Sequence, residues 1–267
     1  MRRGNGRPRA PVHPVVVLLA TLGIALFALP LVGLVSRAPW SDAWTQVRSP
    51  GALTALRLSL ICSLCATGLS VVLGLPLAWL QARHEFPGRS VVRGLTMLPV
   101  VLPPVVGGVA LLVAFGRRGL VGQWLERWLG VQLPFTTAGA VLAETFVAMP
   151  FFVLTAEAAL RTSDRRLEEA ARTLGAGPWT VFSRVTLPLT RTAIAAGAAL
   201  CWARALGEFG ATITFAGNFP GRTQTLPLAV YLALESRPEA GIVLSLVLLA
   251  ISILVLATQW RRWGSLP

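Results

Sequence analysis

The chain has 267 residues, of which 54% are hydrophobic and only 13% charged, with a mean hydropathy of +0.67. A soluble domain typically carries about 25% charged residues. That composition excludes an ordinary soluble globular protein, and the long apolar blocks point to a polytopic membrane protein. The net charge of +13 sets 24 arginines against 11 acidic residues, with no lysine; the arginines sit mostly in short segments between apolar blocks, which ties the charge to membrane topology and not to nucleic acid.

In chain order, a tail over 1–14 precedes apolar blocks at about 15–36, 53–80, 91–115, 136–158, 185–215 and 239–259, and a second tail covers 260–267. A spanning helix needs about 20 mainly apolar residues. The expected fold is therefore all-α, a single transmembrane domain over 15–259 with six helices. The first block follows MRRGNGRPRA, as a secretion signal might, but its apolar run exceeds the roughly 7–15 residues of a signal core. It is expected to stay as the first helix. Arginine counting sets the direction: the N-terminus, the 81–94 loop, the 159–192 region and Arg261–Arg262 hold fifteen, against seven in the other segments outside the spans. The richer side is expected to be cytoplasmic, which puts both termini there.

Prolines punctuate the blocks at Pro30, Pro76, Pro99, Pro103, Pro104 and Pro150. Proline leaves backbone carbonyls that lipid cannot satisfy. The run LPVVLPPVVGG (98–108) cannot be one straight helix; it is either a packing kink or a broken segment lining a pathway. Cys62, Cys65 and Cys201 all lie in apolar blocks. Cys62 and Cys65 form a C-x-x-C with no histidine or second pair nearby, so they are expected to pack helices and not to bind metal.

One cytoplasmic stretch, at about 161–184, is charged and ordered. Ser163 is expected to cap a helix starting near Asp164. Leu167, Ala170, Ala171 and Leu174 fall on one face, with Arg165, Arg166, Glu168, Glu169 and Arg172 around the rest. Gly175 suits a helix C-terminus and Pro178 the first position of a second short helix. Between them run Ala176 and Gly177, and Pro188 marks the start of the fifth span. Physics leaves two options: a knob that docks on a partner, or a connector packed on its own bundle.

Ionisable residues inside spans are functional candidates. Arg57 lies early in the second span and Glu144 within the fourth. Arg204 and Glu208 lie four apart in the fifth, as an internal salt bridge or a gate. Gly207 and Gly210 beside them suit close helix approach. Past a turn at Asn218, Pro220 and Gly221, the residues Arg222, Thr223, Gln224 and Thr225 either guide an oxyanion or hydrate a loop.

Glu169-Ala170-Ala171, Gly175, Val185 and Leu187-Pro188 reproduce the spacing of the EAA signature. The chain thus resembles the transmembrane subunits of binding-protein-dependent ABC importers, with valine where isoleucine is usual. The segments GEFGAT, GNFPGRTQTLPLAVY and LPVVLPPVVGG…FGRRGLVGQWL resemble the molybdate branch of the oxyanion importers, and GEFGAT is shared with sulfate permeases. The resemblance covers most of 50–259. It implies a type I importer permease whose loop at about 164–184 is the coupling helix. It also implies two ATPase subunits as partners, a second permease copy forming a homodimer, and an extracytoplasmic molybdate-binding protein. Without lysine the chain has no P-loop. It is expected to bind no cofactor and catalyse no bond chemistry, with ATP and magnesium used by the partner ATPase. Sulfate, thiosulfate or tungstate is the alternative cargo. An ion-coupled secondary transporter is a more distant one. An intramembrane enzyme is disfavoured, because His13 and His84 lie outside the spans.

Overall fold

The computed structural model describes residues 13–263, so the outer parts of both expected tails, with Arg2, Arg3, Arg7 and Arg9, lie outside the described residues. All regular structure among those residues is helical. In order it comprises α1 (Pro14–Ser36), α2 (Trp40–Val47), α3 (Pro50–Arg83), α4 (Arg89–Val101), α5 (Pro104–Phe115), α6 (Gly122–Leu129) and α7 (Thr137–Thr162). Then follow α8 (Arg165–Thr173), α9 (Pro178–Val181), a π-helical segment (Phe182–Thr186), α10 (Leu187–Leu206), α11 (Gly210–Phe215), α12 (Leu226–Ser236) and α13 (Pro238–Trp263).

Five of these helical runs are long and apolar enough to cross a membrane: α1, α3, α7, α9 through α10, and α13. Six continuous spans do not appear. The third expected span is split at Leu102–Pro103 into α4 and α5. Pro103 and Pro104 lack amide donors, and Leu102, preceding a proline, is forced extended, with ψ 135°. The expected fifth span likewise ends at Leu206 and restarts as α11. Pro30, Pro76, Pro99 and Pro150 are absorbed inside helices. Helices α2, α6 and α12 lie between the six expected spans and are too short to cross a membrane.

The core lies where α3, α7 and α10 meet. On α3, Ala52, Ala55, Ser59, Cys62, Ala66, Ser70, Gly74 and Ala78 form a stripe of small buried residues. Helices in lipid gain little from apolar burial and associate by close packing, which small side chains allow. Phe152 of α7 fills the resulting groove. It is fully buried, and a Cβ at Gly74 would lie 2.9 Å from its ring. Gly197 of α10 gives similar room, its would-be Cβ lying 3.0 Å from Thr155 Cβ. Cys62 and Cys201 are buried in this packing, while Cys65 faces outward. Helix α1 buries none of its residues, as an apolar helix facing lipid should.

Two polar ties fix the ends. Trp202 Nε1 donates to Ser63 Oγ at 2.9 Å, and Leu226 N donates to Ser59 Oγ at 2.6 Å, which holds α12 against the early turns of α3. At the opposite end of α3, Arg83 meets α8. The chain's two polar regions therefore sit at opposite ends of one bundle.

Candidate functional site

The stretch between α7 and α10 builds an outward-facing knob. Asp164, and not Ser163, caps α8: Arg166 N donates to Asp164 Oδ1 at 2.9 Å. Ser163 instead ends α7, where it caps the last turn. Gly175 sits at φ +84°, in the left-handed region that terminates helices at low cost only with glycine. Its amide donates to Arg172 O at 2.9 Å, and Ala176 N donates to Ala171 O at 3.0 Å. Pro178 then opens α9, at the position the sequence indicates. The π segment follows because Pro188 has no amide for the Arg184 carbonyl and crowds it, so the turn widens and Leu187 N donates to Phe182 O.

The expected apolar stripe does not pack on the bundle. Leu167 is 48% exposed, Leu174 88% and Trp179 75%. Glu169, Ala170, Gly175, Gly177 and Pro178 are also exposed, while Ala171 and Ala176 are half-buried. The buried residue of α8 is Glu168, whose carboxylate lies 2.5 Å from Arg83 Nη2 of α3. Sequence reasoning missed Arg83 as its partner. Ending an apolar block, Arg83 has no spacing signal that would link it to a residue 85 positions away.

The broken third and fifth spans meet at their breaks. A Cβ on Gly210 would lie 2.9 Å from Pro104 Cβ, and one on Gly108 would lie 2.6 Å from Thr214 Cβ. Gly207 offers no such contact, since the nearest atom to its would-be Cβ is Ala203 O at 3.7 Å. The close approach anticipated at both glycines belongs to Gly210. Glu208 occupies the break itself. It is 1% exposed, its Oε2 lies 2.6 Å from Arg204 Nη1, and its Oε1 accepts from Ala211 N at 2.9 Å. The carboxylate thus pins the end of α10 to the start of α11. Glu144 of α7 is 2% exposed, with Oε2 lacking a hydrogen-bond partner and Glu208 within electrostatic range. Arg57 stands apart on the exposed side of α3.

The loop after α11 is a tight structural turn. Phe219 O accepts from Arg222 N, Thr223 N and Gln224 N, while Phe219 N donates to Thr223 Oγ1 at 2.9 Å. Thr223 and Thr225 are buried. Arg222 is exposed, and its carbonyl accepts from Thr137 Oγ1 at 2.7 Å. Gln224 reaches a cavity of about 550 Å³ that Gln46, Ser49, Arg237 and Glu239 also line. Of the four loop residues, then, Arg222 and Gln224 present groups outward.

The family model described as "Binding-protein-dependent transport system inner membrane component" matches residues 70–263. The molybdenum transport system permease protein ModB of Mycobacterium tuberculosis is 48% identical over 242 residues, covering 90% of each chain. The sulfate transport system permease protein CysT of Escherichia coli is 36% identical over 246 residues, covering 90% of this chain and 88% of that one. Among solved structures, a bacterial alginate ABC transporter in complex with its pentasaccharide-bound periplasmic protein has a chain that superposes with a TM-score of 0.71. That match is at 20% identity and covers 92% of this chain and 91% of that one. It carries the fold alone. With the family match spanning most of the chain, and relatives this similar over nearly their whole length, the chain belongs to the inner membrane components of binding-protein-dependent transport systems.

Proposed function

We propose that the chain is the translocating subunit of an ATP-driven importer of molybdate, coupled through α8 and α9 to a separate ATPase. The observation that carries this is the knob itself. Its apolar residues Leu167, Leu174 and Trp179 point away from the bundle, and a left-handed glycine sets the turn between its helices. An exposed apolar patch on an ordered, charged element is suited to a partner surface. The cargo rests on the 48% identical relative named for molybdenum transport, against 36% for the one named for sulfate.

Two copies pair, each docking one ATPase subunit, with ATP and magnesium held by that partner and none by this chain. A binding protein delivers the oxyanion to the end of the bundle that carries α2, α12 and the 217–225 loop. Both termini and the knob lie in the cytoplasm, and α4 with α5 completes a sixth crossing. Nucleotide and loaded binding protein each favour one of two arrangements of the spans. The meeting of the two span breaks at Glu208 is where those arrangements differ, with Arg204 and Glu144 beside it and Arg57 further out.

Reconstitution of the chain with its ATPase and binding protein tests the proposal. ATP-dependent molybdate uptake that sulfate competes with only weakly is the expected result. Uptake that ignores ATP, or follows an ion gradient, would overturn it. Tungstate and thiosulfate competition in the same assay separates the alternative cargoes.

A further inference from the structure

Helix α8 carries five charged side chains, and of these Glu168 alone is buried. Its Oε1 contacts two helical elements beyond its own and reaches a third through Arg83. It lies 2.5 Å from Arg83 Nη2 at the last turn of α3, and it accepts from Thr186 Oγ1 of the π segment at 3.0 Å. The same Arg83 nitrogen donates to Ser163 Oγ at the end of α7, at 2.6 Å. Both charged side chains are less than one-tenth exposed. The Nε and Nη1 atoms of Arg83 are buried without a hydrogen-bond partner, so Glu168 is the group that balances this guanidinium among the described residues.

Apolar packing supplies little else that ties α8 to the bundle, since Leu167 and Leu174 face outward. A buried ion pair contributes little net stability for its desolvation, but it fixes geometry. Arg165 Nη2 also donates to Ala82 O of α3, at 3.4 Å, so movement of α8 must either carry α3 and the start of α10 with it or break these contacts. The π segment is the other place where the connection can give, because π turns are rare inserts often found at functional sites.

We propose that Arg83, Glu168 and Thr186 form the transmission joint that passes displacement of α8 into α3 and the fifth span. All three are positioning residues, acting on the pathway through the helices they join. The inference rests on the docking role proposed above. It goes further by naming the contact through which docking acts.

The test uses the full complex in liposomes. Glu168→Gln, Arg83→Gln and the two combined are compared with the parent for ATPase retained, ATP hydrolysed, and molybdate taken up per ATP. The ATPase is expected to stay bound and active, while uptake per ATP falls about tenfold, a size common for lost coupling contacts. The combined variant should fall no further than the worse single one, because both break the same joint. Glu168→Asp should recover part of the loss. Thr186→Val, which removes only the neutral arm, should give a smaller fall and serves if the charged variants do not insert. Wild-type uptake per ATP in the single variants, additive losses in the double, or loss of ATPase binding would each overturn the joint. Failure of the docking role shows separately, as unchanged transport when Gly175 is made bulky.

Discussion

Replacing Gly108 with valine should push apart the two broken spans. A Cβ there would stand 2.6 Å from Thr214 Cβ, 2.9 Å from Ala211 O and 3.1 Å from Ala211 Cα. Ordinary carbon contacts need about 3.5–4.0 Å, so α5 and α11 must separate by about 1 Å. Two of the three atoms are backbone, and a rotamer change cannot relieve them. Over-packing of this kind costs about 1–3 kcal/mol, and valine's helix propensity over glycine returns only a few tenths. The net is about 2 kcal/mol, or a melting temperature lowered by about 4–8 °C for a chain of this size. Gly23→Val is the control: the site is also helical, but nothing lies within 4 Å. It should leave the melting temperature within about 1 °C of the parent. Uptake should fall further than stability in Gly108→Val, because α11 carries the Ala211 amide that Glu208 holds. Thermal unfolding in detergent and uptake in liposomes give the two readouts. Equal melting shifts at Gly108 and Gly23 would refute the packing argument.

Three other outcomes are expected. Gly175→Leu should impair ATP-coupled uptake with normal insertion, since leucine at φ +84° costs about 1–2 kcal/mol of backbone strain although no atom lies within 4 Å. Gly175→Asn should be milder, because asparagine tolerates that region. Arg204→Ala leaves Glu208 buried without its cation, a loss of about 3–5 kcal/mol, and uptake and basal ATP hydrolysis should both change; wild-type values for both would remove the pair from the transport cycle. Trp202→Phe should cost about 1 kcal/mol by leaving Ser63 Oγ without its donor, read as a small lowering of the melting temperature.

Much of this architecture is legible in the sequence because a membrane imposes long apolar runs. The blocks near 15–36, 53–80, 136–158 and 239–259 all became helices, with boundaries shifted by a few residues. Gly175 and Pro178 stand where their backbone preferences put them. The breaks were half-visible: the double proline at 103–104 signalled one, but the end of α10 at Leu206 has no proline to announce it. What stayed hidden was long-range pairing. Ser163 and Asp164 are equally good caps by type, yet Asp164 takes the role while Ser163 accepts from Arg83. The Leu167–Leu174 stripe was periodic enough for a packed face, but burial went to Glu168 because its partners, Arg83 and Thr186, arrive from other helices.

The widened turn at Phe182–Thr186 has a consequence for chain length. A π turn accommodates one residue more than an α-helical path would, and it does so without changing which way the flanking helices face. Deleting a single residue inside 182–186 should remove the extra residue of the wide turn and leave a proline kink at Pro188, with Pro178–Val181 still facing as before. The same deletion between 192 and 200 has no such slack to draw on. It would rotate everything beyond it by about 100° about the helix axis, turning Trp202 from Ser63 and carrying the Arg204–Glu208 pair as a unit from its place beside Glu144. Helix α10 thus tolerates a lost residue at its π-helical root but not between 192 and 200.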